Sequence, residues 1–356
     1  MDDDTINNDT IQRFGGQIQR LIRGEDLTRH ETYEMFREVM LNEQPDLQQG
    51  ALLGALVAKG ETVHEIAGAW EAIDQFDTEH VSPKIQGPLV ENSGTGMDKL
   101  NTFNVSSAAA IVAASCGVTM ARHGARALSS FCGTVDIMEA VGVNVECEIA
   151  TVEKSIQEAG IGLFNGMSPH IHPGALGRIL SQIRFGSTLN IAASLANPCR
   201  PTIGLRGVGC AHLLKPSAQV MLQIGYTRGM VIHGFDAASG HGMDEISLCG
   251  ATKVIEFQGE AIKEYTLKPE EVGLERVSLE EISSTNDLQS EAERFKQVLA
   301  GIGPAACINF TCLNAGAILY IAGLYDSVQE GVLRSKAAIE SGLAYAKLEQ
   351  WKKVQN

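Results

Sequence analysis

Residues 92–126 read NSGTGMDKLNTFNVSSAAAIVAASCGVTMARHGAR. The stretch opens on a glycine turn and enters a helix of small residues that starts near Ser106. It breaks at Gly117 and resumes as a short β-like run over 119–121. A turn, a helix and a strand in that order are the working unit of an α/β sheet with helices on its faces. The alternation continues downstream. Strands are predicted at 160–164, 202–205 and 230–233, with helices at 106–116, 134–141, 174–184 and 216–224. TKVIEFQGEAIKEYTL (252–267) reads as an antiparallel hairpin turned at Gly259, and the chain is helical again from Ser290.

Upstream, 12–78 is helical. Thr28-x-x-Glu31 and Thr62-x-x-Glu65 have the spacing of capping boxes. They precede the apolar faces Tyr33, Phe36, Val39, Met40 and Ile66, Trp70, Ile73. Leu52, Leu53, Leu56 and Val57 form another such face. The chain thus divides into a polar, disordered tail (1–11), a small helical domain (12–78), a linker with two prolines (79–90) and a large α/β domain (91–356). The large domain has a central, mostly parallel sheet flanked by helices. A helical segment near 170–190 is free to pack back on the front helices.

With 28 basic and 43 acidic residues in 356, the net charge is −15. That balance disfavours nonspecific binding to nucleic acid or an anionic membrane. A 44% hydrophobic composition excludes disorder of the whole chain. Aromatic residues at 5% suit a base-stacking surface poorly, whereas 37 glycines suit a backbone that closes on a ligand. Eight scattered cysteines without a CxxC read as reduced thiols. MDDDTINNDT has neither a basic nor an apolar region, so it is no signal peptide. The small-apolar stretch at 108–121 is too short and polar to span a bilayer. A cytoplasmic protein without a membrane partner is expected.

Three segments carry possible chemistry. In 94–107, a glycine turn frees backbone N–H groups for an anion, and the following helix adds its N-terminus. Thr102, Ser106 and Ser107 supply hydroxyls that can bond phosphate or a hard cation. The alternative is a tight turn with an ordinary serine cap. In 121–130, Arg122, His123, Arg126, Ser129 and Ser130 follow a strand end, where α/β sheets bind ligands. Arginine forks match phosphate oxygens, although a solvated basic loop has the same composition. In 233–247, Asp244 and Glu245 lie on a glycine-rich loop. They could hold Mg²⁺ together with substrate oxygens, or simply form a polar turn.

Taken in order, these segments resemble the anthranilate phosphoribosyltransferase family. The resemblance covers nearly the whole chain. It includes GTGMDKLNTFNVSS, ARHGARALSSFCGTVD, VIHG…MDEIS and LNAGAILYIAG. It implies transfer of a phosphoribosyl group from 5-phosphoribosyl-1-pyrophosphate (PRPP) to a nitrogenous, aromatic acceptor, with loss of pyrophosphate and with Mg²⁺ as cofactor. Gly94, Thr95, Gly96, Asp98, Thr102, Asn104, Ser106, Ser107, Arg122, Ser130 and Thr134 match PRPP positions. Ser106, Asp244 and Glu245 match the metal ligands, and His123, Ala125, Arg178 and Arg184 fall to the acceptor. No protein nucleophile is required. A homodimer through the front helices is implied.

The chain departs from the family pattern in four places. Met97 replaces a glycine of Gly-Thr-Gly-Gly-Asp, and Arg122-His-Gly-Ala-Arg126 stands where the family has Lys-His-Gly-Asn-Arg. Ser181 and Gln182 occupy the region of an acceptor-binding arginine, and the loop after His233 is longer, bringing in Asp236 and His241. These departures favour an acceptor other than anthranilate. A true anthranilate enzyme, a phosphorolytic nucleoside enzyme and a non-catalytic ligand- or nucleic-acid-binding relative are the alternatives.

Overall fold

The computed structural model describes residues 8–96, 100–127, 132–183 and 185–356. The chain opens with helices α1 (Asn8–Ile22), α2 (Arg29–Met40), α3 (Asp46–Lys59) and α4 (Val63–Phe76). Strand β1 (Leu89–Gly94), α5 (Val105–Ser115), β2 (Thr119–Gly124), α6 (Thr134–Ala140), α7 (Ile149–Ala159) and β3 (Ile161–Asn165) follow. Next come α8 (Leu176–Gln182), α9 (Leu189–Ala192), β4 (Ile203–Gly207), α10 (Leu214–Gln223), β5 (Arg228–Phe235), β6 (Gly242–Met243), β7 (Thr252–Gln258) and β8 (Ala261–Leu267). The chain closes with α11 (Leu279–Ile282), α12 (Leu288–Leu299), α13 (Ala305–Ile321), α14 (Val328–Glu340) and α15 (Leu343–Gln355).

These elements form two units. The first contains Met1–Glu79 and Gly166–Pro198, and the second contains His80–Asn165 and Cys199–Asn356. The α/β unit is therefore not the continuous run 91–356, because the mid-chain helices belong with the front ones. Helix α1 begins at Asn8, inside the stretch 1–11 expected to be a disordered tail, and residues 1–7 lie outside the described residues.

In the helical unit both capping boxes form. The Glu31 N–H donates to Thr28 Oγ1 at 3.2 Å, and the Thr28 N–H donates back to Glu31 Oε2 at 2.8 Å. Thr62 and Glu65 repeat the pattern at 2.8 and 3.2 Å. Asp77 accepts the N–H groups of Ala175 and Leu176 at 3.0 and 2.7 Å, which fixes the start of α8. Trp70 Nε1 donates to the Leu195 carbonyl at 3.0 Å. Most front-helix apolar residues thus find cover within their own unit, while Ile22, Leu47 and Val57 stay exposed.

In the second unit, the main sheet path runs β3-β2-β1-β4-β5-β7-β8. Its first five strands are parallel and β7 and β8 antiparallel. The 252–267 hairpin forms as expected, with Gly259 at φ 57°. β1 is the chief miss of the sequence reading, which assigned it to the linker and the glycine turn. Only Leu89 and Val90 are apolar there, yet Glu91 and Asn92 are each 2% exposed. β1 takes a central position because β2 and β4 flank it and its polar side chains find buried partners. α5 and α13 pack together and are almost wholly buried, which explains their small, uncharged sequences. All eight cysteines are free thiols. Among the described residues, no helix is long and apolar enough to cross a membrane.

Candidate active site

The carboxyl ends of β1 and β4 lie side by side, with Gly94 level with Gly207. Asp244 sits directly against both. A Cβ at Gly94 would lie 2.1 Å from Asp244 Oδ2, and one at Gly207 would lie 1.6 Å from the Asp244 carbonyl oxygen. Only glycine admits that approach. Beyond Gly94, the Gly96 N–H donates to Asp244 Oδ2 at 2.8 Å. Thr95 is tied to the neighbouring loop, its N–H donating to the Gly207 carbonyl at 3.0 Å and its Oγ1 accepting from the Gly209 N–H at 3.1 Å.

Glu245 reaches the first turn of α5. Ser106 Oγ lies 2.8 and 3.0 Å from its two carboxylate oxygens, a contact between residues 139 positions apart. The loop that delivers Asp244 and Glu245 is a folded hairpin. Asp236 accepts from the N–H groups of Ala238 and Ser239, the Asp236 N–H donates to the His241 carbonyl, and β6 returns antiparallel to β5. His233 is buried below, with Nδ1 2.7 Å from the Val208 carbonyl.

Further residues in this site escaped the sequence reading. Asn314, on α13, accepts the Ile246 N–H at 3.0 Å and donates to the Ile246 carbonyl at 3.1 Å, gripping the residue after Glu245. Asn92 Nδ2 donates to the Ser106 carbonyl at 2.8 Å. Arg206, fully buried on β4, donates to Ser93 Oγ at 2.7 Å. The LNAG run and the polar β1 sequence were the available signals for Asn314 and Asn92. Nothing in the sequence marked Arg206.

Arg122 is not an outward phosphate fork. It is 1% exposed, with Nε donating to Asn92 Oδ1 at 3.1 Å and Nη1 to Ser107 Oγ at 2.7 Å. Burial pulls its pKa down to about 10, against the opposing pull of Glu245 and Glu91, so it stays cationic at neutral pH. Arg126 is likewise engaged, by Glu139, Glu146 and Asp136 at 2.8, 2.7 and 3.3 Å. Its pKa is raised, first by the Glu139 hydrogen bond. Asp136 also accepts the N–H groups of Ala127 and Gly133, so this cluster pins both ends of the loop after β2.

The remaining expected positions scatter more widely. Thr102 forms a bridge with Ser283, Asn104 donates to the Cys132 carbonyl at 3.3 Å, and Thr134 begins α6 beside Gly124. His123 is buried near the end of β2, and the Ala125 carbonyl accepts from the Val135 N–H. Arg178 is held inside the helical unit by Asp46 and Gln49, both at 2.9 Å. That clamp places Arg178 in the packing of α3 and α8. Ser181 bonds the Arg178 carbonyl at 2.7 Å. Met97, Asp98, Ser129, Ser130 and Arg184 lie outside the described residues.

One hydroxyl and two adjacent carboxylates form a hard-oxygen donor set suited to Mg²⁺. Among the described residues, no three His, Cys, Asp or Glu side chains gather around a common point. Such a set leaves coordination positions for substrate oxygens and water.

Comparison with known proteins accords with this arrangement. The glycosyl transferase family α/β-domain model matches residues 86–345, and the helical-bundle model of the same family matches 17–76. Anthranilate phosphoribosyltransferase of Haloferax volcanii is 38% identical over 332 residues, covering 93% of this chain and 97% of that protein. The enzyme of the same name from Methanothermobacter thermautotrophicus is 33% identical over 344 residues, covering 95% and 97%. The crystal structure of anthranilate phosphoribosyltransferase from Thermus thermophilus superposes with a TM-score of 0.85 at 33% identity, covering 95% of this chain and 98% of that one. The Saccharomyces cerevisiae enzyme in complex with PRPP and Mg shares the fold, with a TM-score of 0.83 at 21% identity over 98% and 99% of the chains. The chain belongs to the glycosyl transferase family, among relatives that are anthranilate phosphoribosyltransferases.

Proposed function

We propose that this protein is an anthranilate phosphoribosyltransferase, a PRPP-dependent pentosyltransferase that joins the ribosyl carbon of PRPP to the anthranilate nitrogen and releases pyrophosphate. The observation that carries this reading is the meeting of Ser106 with Glu245 beside Asp244 and the 94–96 turn. Relatives of that name at 33–38% identity over nearly the full chain support it. They also favour anthranilate itself over the altered acceptor suggested by Ala125, Ser181 and Gln182.

Under this reading, Ser106, Asp244 and Glu245 hold Mg²⁺. The ion would offset the charge that gathers on the departing pyrophosphate. The protein positions the reactants and stabilises that charge, and no side chain is consumed. The backbone of 94–96, with Asp98, Thr102, Asn104, Ser107, Ser130 and Thr134, is assigned to PRPP. His123 and the backbone near Ala125 are assigned to the acceptor. A homodimer is part of the proposal, supported by Ile22, Leu47 and Val57, which stay exposed on the front helices. Cytoplasmic location is a further part of it.

Steady-state kinetics with PRPP saturating and anthranilate varied test the assignment. A kcat/KM of about 10⁴ M⁻¹s⁻¹ or more is expected, as for an ordinary enzyme. Negligible turnover despite PRPP binding would return the altered acceptor.

A further inference from the structure

We infer that Arg122 and Asn92 are positioning residues that set the Ser106 hydroxyl for the metal, rather than direct PRPP ligands. The inference rests on the function proposed above. Asn92 lies on β1 and Arg122 on β2, adjacent parallel strands. Their side chains form a continuous chain of bonds to the site. Arg122 Nε donates to Asn92 Oδ1, Asn92 Nδ2 donates to the Ser106 carbonyl, and Ser106 Oγ meets Glu245. A second arm runs from Arg122 Nη1 to Ser107 Oγ, so one guanidinium reaches two consecutive residues of the α5 first turn, Ser107 directly and Ser106 through Asn92.

The chemistry fixes the orientation of each link. Arginine has only donors, so the Asn92 amide must turn its oxygen toward Arg122. Its nitrogen is then obliged to face the Ser106 carbonyl. Helix first turns lack some intrahelical bonds and fray readily. Here Asn104 at the cap makes no side-chain cap bond to the helix, so the Asn92 and Arg122 contacts hold that turn from the sheet side. Serine has a single torsion before its oxygen, so fixing its backbone confines the hydroxyl. Arg122 also suits this task better than lysine would. Its planar fork spans Asn92 and Ser107 together, whereas one ammonium on a flexible stem does not reproduce that geometry.

The test is Mn²⁺ binding followed by electron paramagnetic resonance in the presence of PRPP, alongside Mg²⁺ dependence of turnover. Variants are Arg122→Lys, Asn92→Ala, Asn92→Asp and Ser107→Ala. Removing an outer partner of a metal ligand typically weakens metal affinity about 10–100-fold. That loss is expected for Arg122→Lys and Asn92→Ala, with the KM for anthranilate unchanged. Asn92→Asp keeps the acceptor for Arg122 but loses the donor to Ser106, so it should weaken Mn²⁺ as well. Ser107→Ala removes the second arm together with a hydroxyl assigned to PRPP, so it should weaken Mn²⁺ less than Asn92→Ala does and also raise the KM for PRPP. Mn²⁺ affinity equal to wild type in folded Asn92→Ala and Ser107→Ala would overturn the positioning role. A raised PRPP KM with unchanged Mn²⁺ affinity in Arg122→Lys would return Arg122 to direct substrate binding. Failure of the wild type to bind Mn²⁺ with PRPP would instead overturn the transferase reading itself.

Discussion

The same pair of groups, a hydroxyl and a glutamate, has opposite meanings at the starts of α2 and α5. At the start of α2, Thr28 Oγ1 lies 2.9 Å from Glu31 Oε2, three residues apart. At the start of α5, Ser106 Oγ lies 2.8 Å from Glu245 Oε1, 139 residues apart. The first pair is exposed and closes a helix end with its own neighbours. The second pair is made by the fold, next to a second carboxylate, Asp244, which packs against two glycines that tolerate nothing larger. A local pair satisfies the backbone. A distant pair costs chain entropy to assemble, and that cost is retained where the assembled groups act together.

The contrast is broken most severely by Glu245→Gln. Losing a charge-stabilising group of this kind should lower kcat/KM about 10²–10³-fold while the melting temperature stays near wild type. Steady-state rates and a thermal melt on the same sample check both halves. Next in size is Gly207→Ala, whose methyl would fall on the Asp244 carbonyl and force that backbone to move. A loss of about 10–100-fold in Mg²⁺ affinity is expected from the displaced ligand. Titration of activity against Mg²⁺ would register it. Thr28→Ala should do the reverse, costing about 0.5–2 kcal/mol of stability with no change in kcat. Urea unfolding paired with a rate assay decides that point.

The smallest expected effect is on acid stability. The Glu31 carboxyl sits below its ordinary value of 4.5, first because the Thr28 N–H donates to it and then because of Arg20. Its folded-state pKa is depressed, so its contribution is complete above about pH 4.5 and disappears as pH falls through the folded value. Glu31→Gln should therefore flatten the decline of the melting temperature below pH 4.5 and leave the neutral value slightly lower. An unchanged acid slope would remove Glu31 from that role.

The same contrast explains which parts of the sequence were legible. Thr28-x-x-Glu31 and Thr62-x-x-Glu65 state their partners within four residues, and both boxes form. β2, β3, β4 and β5 announced themselves by apolar runs, although each extends beyond the predicted core. β1 did not, because Glu91, Asn92 and Ser93 are polar for reasons that lie on other strands and helices. Asp244 and Glu245 were legible as a carboxylate pair able to hold Mg²⁺, but only resemblance to a family joined them to Ser106. Their spacing from Ser106 carries no periodic signal. Arg122 and Arg178 were legible as cations but not as occupied ones, since Asn92, Ser107, Asp46 and Gln49 come from remote positions.

Calorimetric titration of PRPP into the wild type and into Asp244→Asn/Glu245→Gln, each with and without Mg²⁺, tests the site most directly. The expected result is Mg²⁺-dependent PRPP binding in the wild type and loss of that dependence in a folded double variant. Identical Mg²⁺ dependence in the two proteins would show that the distant pair is only another turn.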